Sequence, residues 1–384
     1  MGATVSPDLV RATSGFAVAF HAAIAPGAGN LAASPASLAI ALAMTWAGAR
    51  GQTADEVRAV LGLVGDRDAI LDDLGGLARV VGDPASGVTL RMANRLFGAR
   101  GLPLDPGFVA TMRDTFAADL EPLDLADAAA ARRHINTWVA ARTEGRIADL
   151  LPDGAITPLT RLLLVNALYF LGRWAEPFAF EATRDAPFTI APGQTRQVPT
   201  MHAMRTLRLA RGAGVRVLEL PYAGGGAAMW IALPDRVDGL ADLEASLDAT
   251  TFGRWRAGFA AERVAVALPR FTVDPPRAID AGQALTALGM PTAFDGDRAD
   301  FTGMTDPTDP ADRLYLADVF HQATVIVDER GTEAAAASAA RMAVRGASPR
   351  AEPFVVDRPF LFAIVDRASG LVLFLGRVVD PTAR

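Results

Sequence analysis

Apolar positions along the chain change their spacing near residue 160. In the first 150 residues they recur at helical spacing, as in SPASLAIALAMTWAGARG (34–51) and ADAAAARRHINTWVAARTEGRI (126–147). Later apolar runs are short and bounded by Gly and Pro, which is typical of strands. The predicted strands are RLLLVNALYF (161–170), VRVLELPY (215–222), AAMWIALP (227–234), RVAVALPRFTV (263–273), PFLFAIVD (359–366) and LVLFLGRVV (371–379). Helices first and strands later, with no separating linker, favour an α+β fold.

Local signals predict where two of the helices begin. Ser34 is a candidate N-cap for the helix over 34–51, with Pro35 in its first turn. Thr53 is followed three residues later by Glu56, which predicts a capping box at the start of TADEVRAVLGL (53–63).

Composition limits the function classes. The chain has 384 residues, a length that by itself favours two domains, and its 51% hydrophobic content is ample for a large core. The net charge is -6, every basic side chain other than His is Arg, and the arginines are scattered. This pattern predicts neither a nucleic-acid-binding stripe nor a polybasic membrane patch.

The sequence lacks the residues that several kinds of catalytic and metal-binding site require. The sequence has no Cys, which excludes disulfides and thiolate chemistry, and none of its 4 His is spaced from another as metal ligands are. There is no G-x-S-x-G elbow, and a P-loop is impossible without Lys. The glycines of AGGGA (223–227) lie between two predicted strands and indicate a hairpin turn. An enzyme is therefore the weaker hypothesis, and no metal or other cofactor is expected.

Ten motifs occur in a fixed order over nearly the whole chain. They are NLAASPASLAIALAMTWAGARGQT (30–53), ANRLFG (93–98), INTWVAARTEGRIADLL (135–151), LLVNALYFLGRWAEPF (163–178), VLELPY (217–222), LPRFTV (268–273), ADFTGM (299–304), VDERGTEAAAAS (327–338), DRPFLFAI (357–364) and FLGRVVDP (374–381). In these motifs the chain resembles the serpin family of serine-protease inhibitors. The resemblance implies one α+β domain over 1–384, with three β-sheets and eight to nine helices. This replaces the two-domain expectation from length. An exposed reactive-centre loop is expected at about 329–353.

The resemblance also implies a mechanism and a partner. A serine protease attacks a bait bond in the loop and forms an acyl-enzyme. The cut loop then inserts into the main sheet as a new strand, and the protease is carried along and distorted before it deacylates. The expected partner is therefore a serine protease held in a covalent complex with a monomeric inhibitor.

The segment after Glu329 has two possible conformations. Ala is the best helix former, so TEAAAASAARM (332–342) is expected to be helical by propensity alone. An inserted strand instead needs one face free of charge, because successive side chains point to opposite faces. Counting from Thr332, every charge up to residue 345 falls on the alternate positions, at Glu333, Arg341 and Arg345. Gly331 fits a hinge, although a plain turn glycine is the alternative. The predicted hinge residues are Glu329, Gly331, Thr332, Glu333, Ala334, Ala335, Ala336, Ala337 and Ser338.

The bait bond follows from the family's usual spacing. Inhibitory serpins are cut about seventeen residues into the segment that begins at the hinge Glu, and this count from Glu329 reaches Arg345. The predicted scissile bond is Arg345–Gly346, and Arg before the bond suits the trypsin class of proteases. Arg341 and Arg350 are the competing positions, and all three arginines could instead serve only to keep the loop soluble.

Further residues take their expected roles from the resemblance. Ser34, Ser37, Asn166 and His321 would form the shutter, where strands of the main sheet part. Asn166 and His321 could equally be ordinary core residues whose polar groups are satisfied. Trp174 and Arg270 would lie at the breach, at the top of that sheet, with Arg270 paired to Glu329. The chain departs from the family pattern at Gln322, where Lys is usual, and at Arg330, where a second acid is usual.

Two rival functions and the compartment stay open. A non-inhibitory serpin acting as a carrier or chaperone would be favoured by bulky or charged inward hinge positions, and an enzyme would need a nucleophile–base pair. The first residues, GATVSPDLVR (2–11), do not have the pattern of a signal peptide. By resemblance the protein is expected to be extracellular or periplasmic, with a cytoplasmic location as the alternative.

Overall fold

The computed structural model describes residues 5–27, 29–81, 88–118, 120–157, 160–275, 277–305, 313–332 and 351–383. These residues form one α+β domain, as the sequence predicts. The described helices are α1 (Pro7–Ile24), α2 (Pro35–Gly48), α3 (Gly51–Val60), α4 (Arg67–Val81), α5 (Pro106–Phe116), α6 (Ala128–Arg142), α7 (Leu240–Ala245), α8 (Thr251–Gly258) and α9 (Ala281–Ala287).

The described strands form two hydrogen-bonded sheets. They are β1 (Leu31–Ala33), β2 (Val88–Ala99), β3 (Leu120–Leu123), β4 (Leu162–Arg173), β5 (Arg184–Ala191), β6 (Gln194–Gly212), β7 (Val215–Pro221), β8 (Ala227–Pro234), β9 (Ala260–Pro269), β10 (Phe271–Val273), β11 (Ile279–Asp280), β12 (Val319–Asp328), β13 (Gly331–Thr332), β14 (Glu352–Val355), β15 (Phe360–Asp366) and β16 (Val372–Val378).

The main sheet is built around β4. Its strand order is β10-β12-β13-β4-β2-β3, and β11 pairs with β12. Side chains of β4 alternate between two apolar layers: Leu164 and Leu168 join the core that contains α2, and Leu163 and Val165 join the cluster that contains α6. Because both faces are covered, β4 appears in the sequence as a continuous apolar run rather than an alternating one.

The second sheet is continuous because of one long strand. Its order is β1-β16-β15-β8-β7-β6-β9-β14, with β5 paired to β6. The 19 residues of β6 pair with β5 at one end, with β9 along the middle and with β7 at the other end. Two of the three sheets implied by the resemblance are thus joined through β6.

Helix α2 lies at the centre of the core. It begins with Pro35 after the N-cap Ser34, whose hydroxyl accepts a hydrogen bond from Ser37 N, as the sequence predicts. The capping box at Thr53 is wrong, because α3 already begins at Gly51. Thr53 instead accepts a hydrogen bond from Asp300 N, and the carboxylate of Glu56 binds Thr292, so distant residues use both polar groups.

Candidate functional site: the seam between β4 and β12

Two strands of the main sheet meet along a parallel seam. Residues 319–324 of β12 pair directly with residues 164–169 of β4. Antiparallel pairing of β4 with β2 continues on the other side over eleven residue pairs. A new strand could enter the sheet at this seam only if β4 and β12 separated.

A buried polar network crosses the seam. His321 and Asn166 are register partners, and His321 Nδ1 lies 2.6 Å from Asn166 Oδ1. The amide of Asn166 donates to Ser37 Oγ at 2.6 Å and to Ser37 O at 3.1 Å. Ser34 N donates to His321 Nε2 at 2.9 Å, and Ser34 Oγ donates to Leu373 O of β16 at 2.7 Å. The structure therefore brings together all four residues predicted for the shutter.

The hydrogen bonds of this network determine which nitrogen of the His321 imidazole carries its proton. Nε2 accepts the hydrogen bond from Ser34 N, so the proton lies on Nδ1, which donates to Asn166. Complete burial lowers the pKa of His321 from 6.5 to about 4, since a charged ring would lose its hydration. The ring is neutral at pH 7, and both of its nitrogens are used. The Ser34 hydroxyl binds Leu373 rather than the ring, so this pair does not have the geometry of a nucleophile and its base.

At one end of the seam, the two-residue strand β13 lies between β12 and β4. Gly331 and Thr332, the two residues of β13, lie between β12 and β4: Thr332 pairs with Val327 on one side and with Gly172 on the other. Thr332 is fully buried, and its hydroxyl lies 2.8 Å from the hydroxyl of Tyr222. The first inward position predicted for the hinge is therefore already inside the sheet.

Only glycine fits immediately before Thr332. Gly331 has φ +151°, and a Cβ on it would lie 2.0 Å from Gly172 O. Both the backbone conformation and this close approach exclude a side chain. Asp328 holds the turn from β12 into β13, because its carboxylate accepts from Arg330 N at 2.8 Å and from Gly331 N at 3.2 Å.

Trp174 packs against the residues that lead into β13. Its ring stacks on Tyr222 with centroids 4.8 Å apart, and its Nε1 donates to Asp328 O at 2.9 Å. Its backbone N donates to Arg330 O at 2.8 Å. Trp174 is buried, so it is a core aromatic that also contacts the start of the hinge. Sequence reasoning did not identify Tyr222, although VLELPY was among the motifs.

Glu329, two residues before β13, forms an ion pair with Arg270. Arg270 Nε donates to Glu329 Oε1 at 2.7 Å, and a second guanidinium nitrogen and the Thr183 hydroxyl bind the same oxygen. Burial raises the pKa of Glu329, but the hydrogen bonds from Thr183 and Arg270 outweigh it and leave the pKa below its usual value. The other carboxylate oxygen is buried without a hydrogen-bond partner among the described residues. The Glu329 carboxylate is 1% exposed and the Arg270 side chain 43%, so a buried acid is paired with a partly exposed cation.

The rest of the predicted loop lies outside the described residues. This applies to Glu333, Ala334, Ala335, Ala336, Ala337 and Ser338 of the hinge, to Arg345 and Gly346 of the bait bond, and to Arg341 and Arg350. At the position where the family usually has Lys, Gln322 is buried and donates from Nε2 to Pro275 O at 3.0 Å. The neutral side-chain amide of Gln322 thus occupies the usual lysine position, and it donates its hydrogen bond to a backbone carbonyl.

The described residues offer neither a metal site nor a membrane-spanning helix. They contain no cluster of three or more His, Asp or Glu that could hold a metal ion. None of the described helices has both the length and the apolar character needed to span a membrane.

Comparisons with known proteins agree with this architecture. A family model described as Serpin (serine protease inhibitor) matches residues 11–381. The chain is 37% identical to a leukocyte elastase inhibitor of Xenopus tropicalis over 362 residues, which is 92% of this chain and 93% of that protein. It is 39% identical to Serpin B6 of Macaca fascicularis over 361 residues, with the same coverage of both chains. The crystal structure of native protease nexin-1 with heparin superposes with a TM-score of 0.88 at 28% identity, covering 98% of this chain and 100% of the other.

Proposed function

Because the chain belongs to the serpin family of serine-protease inhibitors, we propose that it inactivates a trypsin-class serine protease by acting as its suicide substrate. It is an inhibitor and not an enzyme, and it acts as a monomer without a cofactor. The protease serine attacks the carbonyl carbon of Arg345, and the amine of Gly346 leaves with a proton. The product is an ester between Arg345 and the protease. Insertion of the freed loop between β4 and β12 then distorts the protease before water can cleave that ester.

The position of Thr332 carries this proposal. Thr332 already pairs with strands on both sides, while a few residues further along β4 and β12 pair directly with each other. Insertion therefore extends a strand whose first residues are in place. The following inward positions, Ala334, Ala336 and Ser338, are small and uncharged, so no unpaired charge enters the sheet.

Arg345 is the specificity residue in this proposal. A guanidinium at this position pairs with the Asp at the base of a trypsin-class pocket. The relatives named leukocyte elastase inhibitor bear that name for their own target, and the expectation for this chain rests on its own loop sequence. Cleavage at Arg341 would shorten the inserted strand by four residues, about 13 Å at the strand rise, and the protease would stop short. Cleavage at Arg350 would leave five extra residues between the sheet and the protease.

A gel with mass analysis tests the proposal. The unaltered chain is mixed with equimolar trypsin or elastase, and a band near the summed masses that survives denaturation shows the covalent complex. Arg345→Ala should abolish the band with trypsin, whereas Arg341→Ala and Arg350→Ala should retain it. If Arg341→Ala is the inactivating change instead, the bait lies four residues earlier. If no protease of either class is trapped, the inhibitory proposal fails.

An extracellular or periplasmic site of action belongs to the same proposal, because secreted trypsin-class proteases would be met there. Fractionation of the cells that make the protein tests it. Recovery of the protein only from the cytoplasm would overturn it.

A further inference from the structure

A cleft opens beside the first half of α1. It has a volume of about 670 Å³ and lies between α1, the end of α3 and the start of α4. This volume is within the range of about 300–1,000 Å³ that small-molecule sites occupy. None of the residues that line the cleft belongs to the seam between β4 and β12 or to the hinge. The cleft is therefore a separate feature of the molecule, which loop insertion does not use.

Small residues form part of the lining and leave the cleft open. Among them are Ala12, Gly15, Gly62 and Ala249. A Cβ on Gly62 would lie 3.7 Å from Ala12 Cα, and a Cβ on Gly15 would lie 3.3 Å from Ala249 Cβ. Gly62 has φ +66°, the left-handed conformation that glycine favours just after the end of a helix. The segments around the cleft thus lie close together, and its open volume follows from the small size of their side chains.

Most of the remaining lining is apolar. Four of the lining side chains are buried hydrophobic residues: Leu9, Phe16, Leu63 and Ile70. Val64 also lines the cleft and is 86% exposed, the highest value for a large hydrophobic side chain among the described residues. A mainly apolar pocket with a few polar groups is the usual composition of a small-molecule site. The body of a matching ligand is therefore apolar.

The charged groups of the lining are two carboxylates and one guanidinium. Arg11 is paired with Asp8, with 2.5 Å between Nη2 and Oδ1. Asp73 accepts a hydrogen bond from the Ser6 hydroxyl on Oδ2. Its Oδ1 has no hydrogen-bond partner, and no cation pairs with Asp73, among the residues that the structure describes. Asp73 is thus the charge in the cleft that lacks a counter-charge.

Neighbouring cations on the adjoining helices are used elsewhere. Arg58 of α3 donates to Leu63 O at 3.1 Å, and Arg67 of α4 donates to Ala47 O at 3.0 Å. On α4, the residue before Asp73 is a second acid, the exposed Asp72. The electrostatic surroundings of Asp73 therefore favour a cationic ligand over an anionic one.

We propose that this cleft binds a small amphipathic amine, whose apolar body lies against Phe16, Leu63 and Ile70 and whose ammonium group pairs with Asp73. An ammonium group is charged at pH 7 and donates hydrogen bonds, so it can bind Oδ1 while the Ser6 hydroxyl keeps Oδ2. An anionic ligand would instead meet an unpaired carboxylate and a guanidinium that is already paired. Binding at this site is a function in addition to the proposed inhibition and does not depend on it.

Two probes with one ring system and different head groups test the charge of the ligand. 1-Naphthylmethylamine carries an ammonium group at pH 7, whereas 1-naphthylmethanol is neutral. Calorimetry and naphthalene fluorescence measure the affinity of the full chain for each probe. The amine should bind one site at least fivefold more tightly than the alcohol, and it should raise the thermal midpoint of the chain. If neither probe reaches saturation, or if the amine binds no more tightly than the alcohol, the proposal is overturned.

A matched pair of variants tests the role of Asp73. Asp73→Asn should weaken binding of the amine at least fivefold and leave binding of the alcohol within twofold, because only the ammonium group uses the charge. Asp72→Asn removes the neighbouring exposed carboxylate, which does not line the cleft, and should leave both affinities within twofold. An equal loss in the two variants would show that binding follows net charge alone, and would overturn the site.

Filling the cleft tests its location. Ala12→Leu should weaken both probes at least fivefold, and Ala19→Leu, on the same helix but outside the lining, should bind them as the unaltered chain does. Ala59→Leu, at an exposed lining position of α3, should show the same loss if Ala12→Leu does not fold. Unchanged affinities in the filled variants would place the probes elsewhere and overturn the proposal.

Two other occupants of the cleft have outcomes of their own. If a chain that lacks residues 2–4 binds the amine and the unaltered chain does not, the cleft belongs to the first residues of this chain. A concentration-dependent dimer that Val64→Asp disrupts would assign the cleft to a second copy. Either result would overturn the proposal. Failure to trap a protease would overturn the inhibitory function alone, since the probes bind whether or not a protease is present.

Discussion

His321 and Asn166 face each other across the parallel seam of β12 and β4, joined by a 2.6 Å hydrogen bond between Nδ1 and Oδ1. The bond lies inside a fully buried network with Ser34 and Ser37. Opening the seam would break this contact between side chains that have no access to water in the closed sheet. The network therefore adds buried side-chain hydrogen bonds to the backbone pairing of the seam, and a strand that inserted there would have to break them.

The buried imidazole should make the closed sheet sensitive to acid. The pKa of His321 is about 4 in the folded chain against 6.5 when exposed, so between these values the unfolded chain binds the additional proton. Stability from this group is therefore present above pH 6.5 and is lost as the pH falls toward 4. Between pH 7 and pH 5 we expect a loss of about 2 kcal/mol in the free energy of unfolding. Denaturant unfolding of the unaltered chain and of His321→Gln at both pH values measures it; an equal pH dependence in the two would contradict this account.

The titration of Asp318 should change stability with pH in the direction opposite to that of His321. Burial, with the nearby carboxylate of Asp280 as the second cause, raises its pKa from 3.8 to about 6. The folded chain then holds the additional proton between these values, so stability from this group is present at low pH and is lost as the pH rises through 6. Because Asp318 is only partly buried, we expect a change of about 1 kcal/mol between pH 5 and pH 7. Asp318→Asn should steepen the acid sensitivity that His321 causes, and a shallower dependence would show that the assignment is wrong.

Reversing the charge at Glu329 should loosen the sheet. Glu329→Lys would place a buried cation beside Arg270, and we expect a loss of about 2 kcal/mol, less than for a fully buried pair because Arg270 is partly exposed. An opened sheet is a template for the strand of another chain, so the variant should form polymers on mild heating. Native gels after incubation at graded temperatures detect them. The double variant Arg270→Glu with Glu329→Lys restores the pair in reverse and should polymerise less; if Glu329→Lys stays monomeric, the pair does not close the sheet.

Charge at the first inward hinge position should convert the inhibitor into a substrate. Thr332→Arg would put a guanidinium where the Thr332 hydroxyl now meets Tyr222 in the buried interior. The charge would drive this residue out of the sheet, so insertion would have to begin by burying the guanidinium. It would slow by about tenfold for each 1.4 kcal/mol of added barrier, and the protease would deacylate first. A denaturing gel with trypsin should show cleavage at Arg345–Gly346, no covalent band and active protease afterwards. The matched variant Glu333→Arg changes the next, outward-predicted position and should still trap. Equal behaviour of the two variants would refute the alternation of inward and outward positions.

Local sequence predicted the elements that local interactions build. The apolar runs of β4, β7, β8, β15 and β16 predicted those strands within a few residues, and Ser34 followed by Pro35 predicted the start of α2. In these segments the burial pattern and the N-cap preference agree with the final fold, so tertiary context does not override them. The order of the ten motifs identified the family, and with it the four residues that the structure brings together at the seam.

Other features depended on residues far apart in the chain. The strand patterns did not identify β12, because VFHQATVIVD carries His, Gln and Thr at positions that are buried only once Asn166, Pro275 and Asp274 supply hydrogen bonds. The capping box at Thr53 failed for the same reason, since Asp300 and Thr292 engage its two polar side chains.

By itself the sequence determined which segments can be helix or strand, which family the motifs belong to, and that the hinge segment has one uncharged face. Only the tertiary structure decided that Gly331 and Thr332 already lie between β12 and β4, and that Tyr222 and Thr183 complete the surroundings of Thr332 and Glu329. Helix propensity and strand alternation are local preferences of about 1 kcal/mol or less per residue. The position of β13 instead follows from a close approach of Gly331 to Gly172 and from buried hydroxyls that must find partners, and those constraints exist only after distant strands have packed.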